Sequence, residues 1–240
     1  MDERVMTVKR AIAEIEKQGI LLVYPIDNRR EPLSLWSCFY PRSAMRWEWD
    51  ESGDDRVARL WHLREELSRS GKVVYAKWFR GRATFFSRGI FAALLALSGG
   101  PGARESLSRE ARGILSVLEM DSPLSTKQIK AATGLKGKAH ERDYERAMKE
   151  LWSRFLIVGF GEVDDGAFPS LAVGATQLLF EDLWAQALRH SRESAWQAVK
   201  STLDASSPFL AQLLKQGRRL AEPQSSNSRQ APPRGRAISS

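Results

Sequence analysis

The chain has 240 residues, 42% hydrophobic and 28% charged, which are ordinary proportions for a soluble globular protein of one large or two small domains. Its net charge of +8 is uneven: from Lys215 onward six cations face the single anion Glu222, so that segment supplies +5 and the body +3. One cysteine, Cys38, excludes an intrachain disulfide and a cysteine zinc cluster, and no apolar run reaches membrane-spanning length.

The opening Met1-Asp2-Glu3-Arg4 lacks the cationic and apolar pattern of a secretion signal, so a cytoplasmic protein with no membrane partner is expected. Val5, Val8, Ile12 and Ile15 recur at helical spacing and Gly19 is a natural stop, predicting a helix over 5–18. Residues 19–25 then read as a buried strand. Between 27 and 53 the pattern turns irregular, with Trp36, Phe39, Tyr40, Trp47 and Trp49 among Arg29, Arg30, Arg42 and Arg46. Two readings are open: a surface that stacks or clamps a base, or tryptophans that bury area in a core. The run Glu48, Asp50, Glu51, Asp54 and Asp55 is either a hard-cation site or an acidic helix entry, the latter in keeping with the positive end of a helix dipole.

Helical periodicity returns over 55–69, with Val57, Leu60, Leu63, Arg64 and Leu67 on one side and Arg59, His62, Glu66 and Arg69 on the other. A hairpin follows, 72–78 and 82–86 around Arg80-Gly81, with Lys77, Arg80 and Arg82 at its tip. A short apolar helix over 88–97 leads to the breaker Ser98-Gly99-Gly100-Pro101-Gly102, which separates an N-terminal winged-helix-like unit with an aromatic insert (1–98) from a C-terminal unit (104–214).

The second unit starts with a helix over 108–120, with Ile114, Leu115 and Leu118 inward. Ser125 and Gln128 have capping-box spacing, so a short helix should begin there and end at Gly134. After a turn, a longer helix from about 138 buries Tyr144, Met148, Leu151 and Phe155. At about 100° per residue it turns Arg142, Arg146 and Lys149 outward, with Glu141, Asp143, Glu145 and Glu150 at the flanks. Strands over 156–163 and 168–173 around Asp164-Asp165-Gly166 complete a winged helix-turn-helix. Helices over 176–200, carrying Leu179, Leu183, Trp184, Leu188 and Trp196, and over 208–214 should pack back on the body. The Pro- and Ser-rich basic segment 222–240 should stay disordered, either adding nonspecific phosphate affinity or serving as a solvated end. The fold class is mainly α with small β-hairpins (α+β), arranged as tandem winged-helix-like units.

In such motifs the second helix enters the DNA major groove, while other winged helices dock proteins. The cations Lys136, Lys138, Arg142, Arg146 and Lys149, with Lys77, Arg80 and Arg82, are the candidate contacts to double-stranded DNA, intact or damaged. His62, His140 and His190 are scattered, and Gly99-Gly100-Pro101-Gly102 precedes no Lys-Ser or Lys-Thr pair, so neither a metal motif nor a phosphate loop is present.

The runs Gly19-Ile20-Leu21-Leu22-Val23-Tyr24-Pro25-Ile26, Leu35-Trp36-Ser37 and Arg46-Trp47-Glu48-Trp49, with the wing-like units after them, resemble the AlkZ-type DNA glycosylases over residues 5–190. The resemblance implies a winged-helix DNA-repair protein, in a shorter chain than a full member. In that family a glutamine, a spacer and an aspartate or glutamine on the early strand position the water that cleaves the glycosidic bond. Leu22 and Tyr24 fall at those places. Leucine cannot activate water, and tyrosine is a poor base near neutrality. Asp27, Asn28 and Glu31 lie nearby but off that strand register. The expectation is a noncatalytic DNA-binding protein without cofactor or metal. The alternatives are a glycosylase that flips a base toward Trp36, Trp47 and Trp49, and a protein-interaction scaffold.

Overall fold

A computed structural model describes residues 6–46, 55–165 and 169–221. Helix α1 (Val8–Gln18) begins where the Thr7 hydroxyl accepts from Arg10 N, and it stops at Gly19, whose φ of 73° suits a residue without a side chain. The space there also demands glycine, because a Cβ would stand 2.3 Å from Thr202 Cγ2. Strand β1 (Ile20–Leu22) follows. A short helix α2 (Leu35–Phe39) was not foreseen: five residues are too few to show a period, and it is started by a capping box between Ser34 and Ser37.

The next elements are α3 (Asp55–Arg69), β2 (Val74–Lys77), a 3-10 turn (Phe79–Gly81), β3 (Ala83–Phe86) and α4 (Arg88–Leu97). A 3-10 segment over Gly100–Ser106 leads to α5 (Arg109–Met120), capped by Ser108, and to a two-residue strand β4 (Leu124–Ser125). Helix α6 (Thr126–Thr133) has the expected reciprocal Ser125–Gln128 cap and ends at left-handed Gly134. Then come α7 (Glu141–Ser153), β5 (Ile157–Val163) and β6 (Ser170–Ala175). The described residues end with α8 (Thr176–Leu179), α9 (Glu181–Arg189), α10 (Arg192–Thr202) and α11 (Pro208–Ala221), the last reaching seven residues past the expected 208–214.

Among the described residues, six strands form one open antiparallel sheet in the order β1-β3-β2-β5-β6-β4. The helical content and this open sheet agree with the α+β, winged-helix-like class. The two hairpins are joined where Tyr75 pairs with Gly159. At Gly159 a Cβ would lie 2.3 Å from the Tyr75 ring, so the absent side chain lets the ring cross the strand. β2 and β5 are antiparallel, so Lys77 sits by the start of β5 while Val163, the end of β5, lies toward the start of β2.

Alternating strand residues feed two cores. Ile20, Leu22, Val74, Ala76 and Phe86 meet the helices of the second half and α4, whereas Leu21, Val23, Tyr75 and Phe85 meet α1, α2 and α3. The larger core contains residues from both sides of the 98–102 breaker. Trp78 anchors the first hairpin in it, stacked near Phe155 and Phe209 and donating its Nε1–H to Gln216 of α11 at 2.8 Å. Leu188, expected inward, is exposed at the end of α9. Among the described residues no helix is long and apolar enough to cross a membrane.

Candidate nucleic-acid interface

Helix α7 has the orientation its period predicts. Tyr144, Met148 and Leu151 are buried, joined by Ala147 and Trp152, and Arg142, Arg146 and Lys149 are exposed; Phe155, expected in the same helical stripe, is buried past the end of the helix with a left-handed backbone. Lys136 and Lys138, in the turn before it, are exposed as well. The flanking carboxylates matter for the local field. Glu141 binds Lys130 of α6 at 2.7 Å, and Glu150 accepts from the Ser108 hydroxyl at 2.7 Å, with Arg154 3.8 Å away. Those two charges are therefore spent on holding α5 and α6 against α7. Asp143 pairs with Arg146 at 2.7 Å, and both remain substantially exposed. Lys136, Lys138, Arg142 and Lys149 make no ion pair among the described residues. The exposed row can thus address anions along the helix, in the manner of a groove-reading helix.

The wing contributes a different charge. Asp164 and Asp165 stand where β5 ends, and hydrogen bonds from the Ser125 and Ser170 side chains hold the Asp165 carboxyl below its usual range. Lys127 donates to the Asp165 carbonyl at 3.1 Å, tying α6 to the wing. Gly166 and Phe168 of the expected turn and strand lie outside the described residues.

The first hairpin's tip stands beside the start of β5, which follows shortly after α7 ends. Lys77, Arg80 and Arg82 lie at the strand ends there, away from the end of β5. Arg80 adopts a left-handed backbone, φ 52°, with its guanidinium 5.3 Å over the Phe79 ring. Lys77 is exposed, yet its crowded surroundings and the nearby Arg64 charge lower its ammonium pKa.

Beneath that hairpin lies a polar cluster that sequence reasoning did not assemble. Arg64, on the buried side of α3, forms an ion pair with Glu162 of β5, with the two side chains 9% and 8% exposed. Arg69 donates to the Glu162 carbonyl at 2.6 Å, and Gly161 N donates to the Ser68 hydroxyl at 2.9 Å. Tyr24 and Tyr75 adjoin the pair. Burial pushes the Tyr24 phenol up to about 12 and raises Tyr75, with the Arg64 charge pulling both down. Leu22 is fully buried in the larger core, whereas Tyr24, past the end of β1 although expected on that strand, packs on the smaller one, so these two positions do not face a common site.

Trp36 is core: it is 1% exposed, and its Nε1–H is bound to the Ser43 carbonyl at 2.8 Å. Trp47, Glu48, Trp49, Asp50, Glu51 and Asp54 lie outside the described residues, as does the 222–240 segment. Asp27 and Glu31 are exposed loop residues, and the Asn28 amide is engaged with the Met45 backbone on both sides, at 2.7 and 3.1 Å. Among the described residues no three His, Cys, Asp or Glu side chains converge as a metal site.

A family model described as AlkZ related matches residues 5–213. No curated protein and no solved structure matches the chain. With the match covering most of its length, the chain belongs to the AlkZ-related family.

Proposed function

From membership in the AlkZ-related family, we propose that this protein binds double-stranded DNA through α7 and the preceding turn, in a repair-related role without glycosylase chemistry of its own. The observation that carries the reading is the outward row Arg142, Arg146 and Lys149, extended by Lys136 and Lys138, on a helix where Glu141 and Glu150 are engaged by neighbouring elements, Asp143 pairs with Arg146 and Glu145 is exposed beside the row. Phosphates neutralised by such a row release counterions, so affinity should fall steeply with salt.

The noncatalytic part is supported by the early strand. Leu22 is a sealed hydrocarbon, and Tyr24, with its phenol pushed up to about 12, holds its proton throughout the neutral range. The test has two arms. In the first, a fluorescent duplex is titrated over a salt series with the chain ended after Ala221, which removes 222–240 and keeps the Trp78–Gln216 contact. Salt-sensitive binding is expected, and its loss on truncation would move the interface to the tail. In the second, the intact chain is incubated with alkylated or crosslinked duplex and then alkali. No strand cleavage is expected, and cleavage would replace this reading with a glycosylase.

A further inference from the structure

The outer edge of the sheet, beyond β1, holds a second basic feature. A cavity of about 560 Å³ opens between the last turn of α1, the 25–33 loop and the 36–43 segment. Lys17, Arg29, Arg30 and Arg42 line it against one carboxylate, Glu14. Asp27 and Glu31 belong to the same loop but do not line the cavity. All four cations are exposed, and none makes an ion pair among the described residues. Their charge is therefore available to a ligand, unlike that of Arg64 or Arg88, which face Glu162 and Asp182.

One wall is aromatic and fixed. The half-buried Tyr40 ring lies 4.8 Å from Trp36, and the Arg56 guanidinium stands 4.8 Å over Tyr40 and 5.3 Å over Trp36. The loop is tied on both sides: Leu22 N donates to the Leu33 carbonyl at 3.0 Å, and Asn28 brackets the Met45 backbone. This is a formed pocket within the size range of small-ligand sites and too small to admit a duplex. Guanidinium groups present paired donors that match phosphate oxygens, and an aromatic face accepts any base by stacking.

We propose that this pocket binds a nucleoside 5′-phosphate, its phosphate held among Arg29, Arg30, Arg42 and Lys17 and its base laid against Tyr40. The same chemistry is offered by a free nucleotide and by the 5′-phosphorylated end of a DNA strand. The inference goes beyond the α7 reading and does not depend on it. The pocket lies outside β1 at one edge of the sheet, whereas α7 packs against β2 and β5, so the two are separate surfaces.

The full chain is titrated calorimetrically with dAMP, deoxyadenosine and inorganic phosphate, and with duplexes bearing a single-stranded overhang that ends in a 5′-phosphate or a 5′-hydroxyl. Binding of dAMP at least about tenfold tighter than of deoxyadenosine or phosphate alone is expected. The exposed-loop double variant Arg29→Ala/Arg30→Ala should weaken it about tenfold or more, and Arg142→Glu/Lys149→Glu on α7 should leave it unchanged. Cys38, the single cysteine, lines the pocket, so dAMP should also slow its alkylation by a maleimide. A preference for the 5′-phosphate over the 5′-hydroxyl overhang identifies a strand end as the source, and dAMP binding without that preference identifies the free nucleotide. No response to either, or dAMP binding that the Arg29/Arg30 variant leaves intact, overturns the proposal.

Discussion

The chain presents the same order twice, a helix followed by a hairpin, and puts it to opposite uses. On α3 an arginine at the inward phase is sealed: Arg64 lies under β5 and meets Glu162, while Ser68 and Arg69 bond the same strand. On α7 the outward arginines and lysine are uncovered, and the inward phase is hydrocarbon with Tyr144. What separates the two is the cover. The second wing's strand β5 closes α3, and among the described residues no element covers the outer face of α7. A helix-hairpin order therefore specifies packing, and the charge left in solvent specifies the partner.

The sharpest way to break this contrast is to remove the sealed charge. Glu162→Ala leaves Arg64 buried and uncompensated, which should cost about 3–5 kcal/mol in denaturant unfolding. The double replacement Arg64→Met/Glu162→Leu should recover most of that loss; equal destabilisation by the double variant would show that the ion pair is not the latch. Gly159→Ala attacks the same junction sterically, through the Tyr75 ring 2.3 Å from the new Cβ, and about 1–3 kcal/mol of destabilisation is expected. In the other half, Ser125→Ala removes the cap of α6 and should cost about 1 kcal/mol, with a far-ultraviolet signal otherwise intact.

A pH experiment sharpens the comparison further. The Tyr24 phenol has a folded pKa near 12 against an ordinary value near 10, and Tyr75 is shifted in the same direction. Above pH 10 the unfolded chain releases those protons first, so the associated stability is complete below pH 10 and is lost as pH rises toward 12. Tyr24→Phe should flatten this alkaline decline in thermal melts, and an unchanged slope would remove Tyr24 from the buried cluster. The smallest stability effect belongs to α7: Arg142→Glu/Lys149→Glu should stay within about 0.5 kcal/mol of wild type because both side chains are in solvent.

Local physics was legible in the sequence wherever a period or a cap was long enough to register. The bounds of α3 and α4, the Ser125–Gln128 cap, the Gly134 stop and the inward stripe of α7 all follow from spacing. The inward phase of Arg64 was legible too, but its partner, 98 residues away, was not. Nor was the pairing of β2 with β5, because a contact between two hairpins leaves no mark on either one's alternation. That pairing sets Lys77 beside the start of β5, away from the end of β5 where Asp164 and Asp165 stand. Short elements such as α2 and β4 escaped for want of a period, and the basic cavity by Arg29, Arg30 and Arg42 is assembled by a loop whose shape no local rule supplies.

We propose that the DNA interface lies on the uncovered helix rather than on the first hairpin. This is tested most directly by the salt dependence of duplex binding for three full-length chains: wild type, Arg142→Glu/Lys149→Glu, and Arg80→Glu/Arg82→Glu. The tail is common to all three, so differences report the folded body. The account predicts that the α7 variant binds more weakly and lowers the slope of log affinity against log salt by about 2 in magnitude, with the hairpin variant near wild type. A full slope in the α7 variant, with the loss appearing in the hairpin variant, would contradict it.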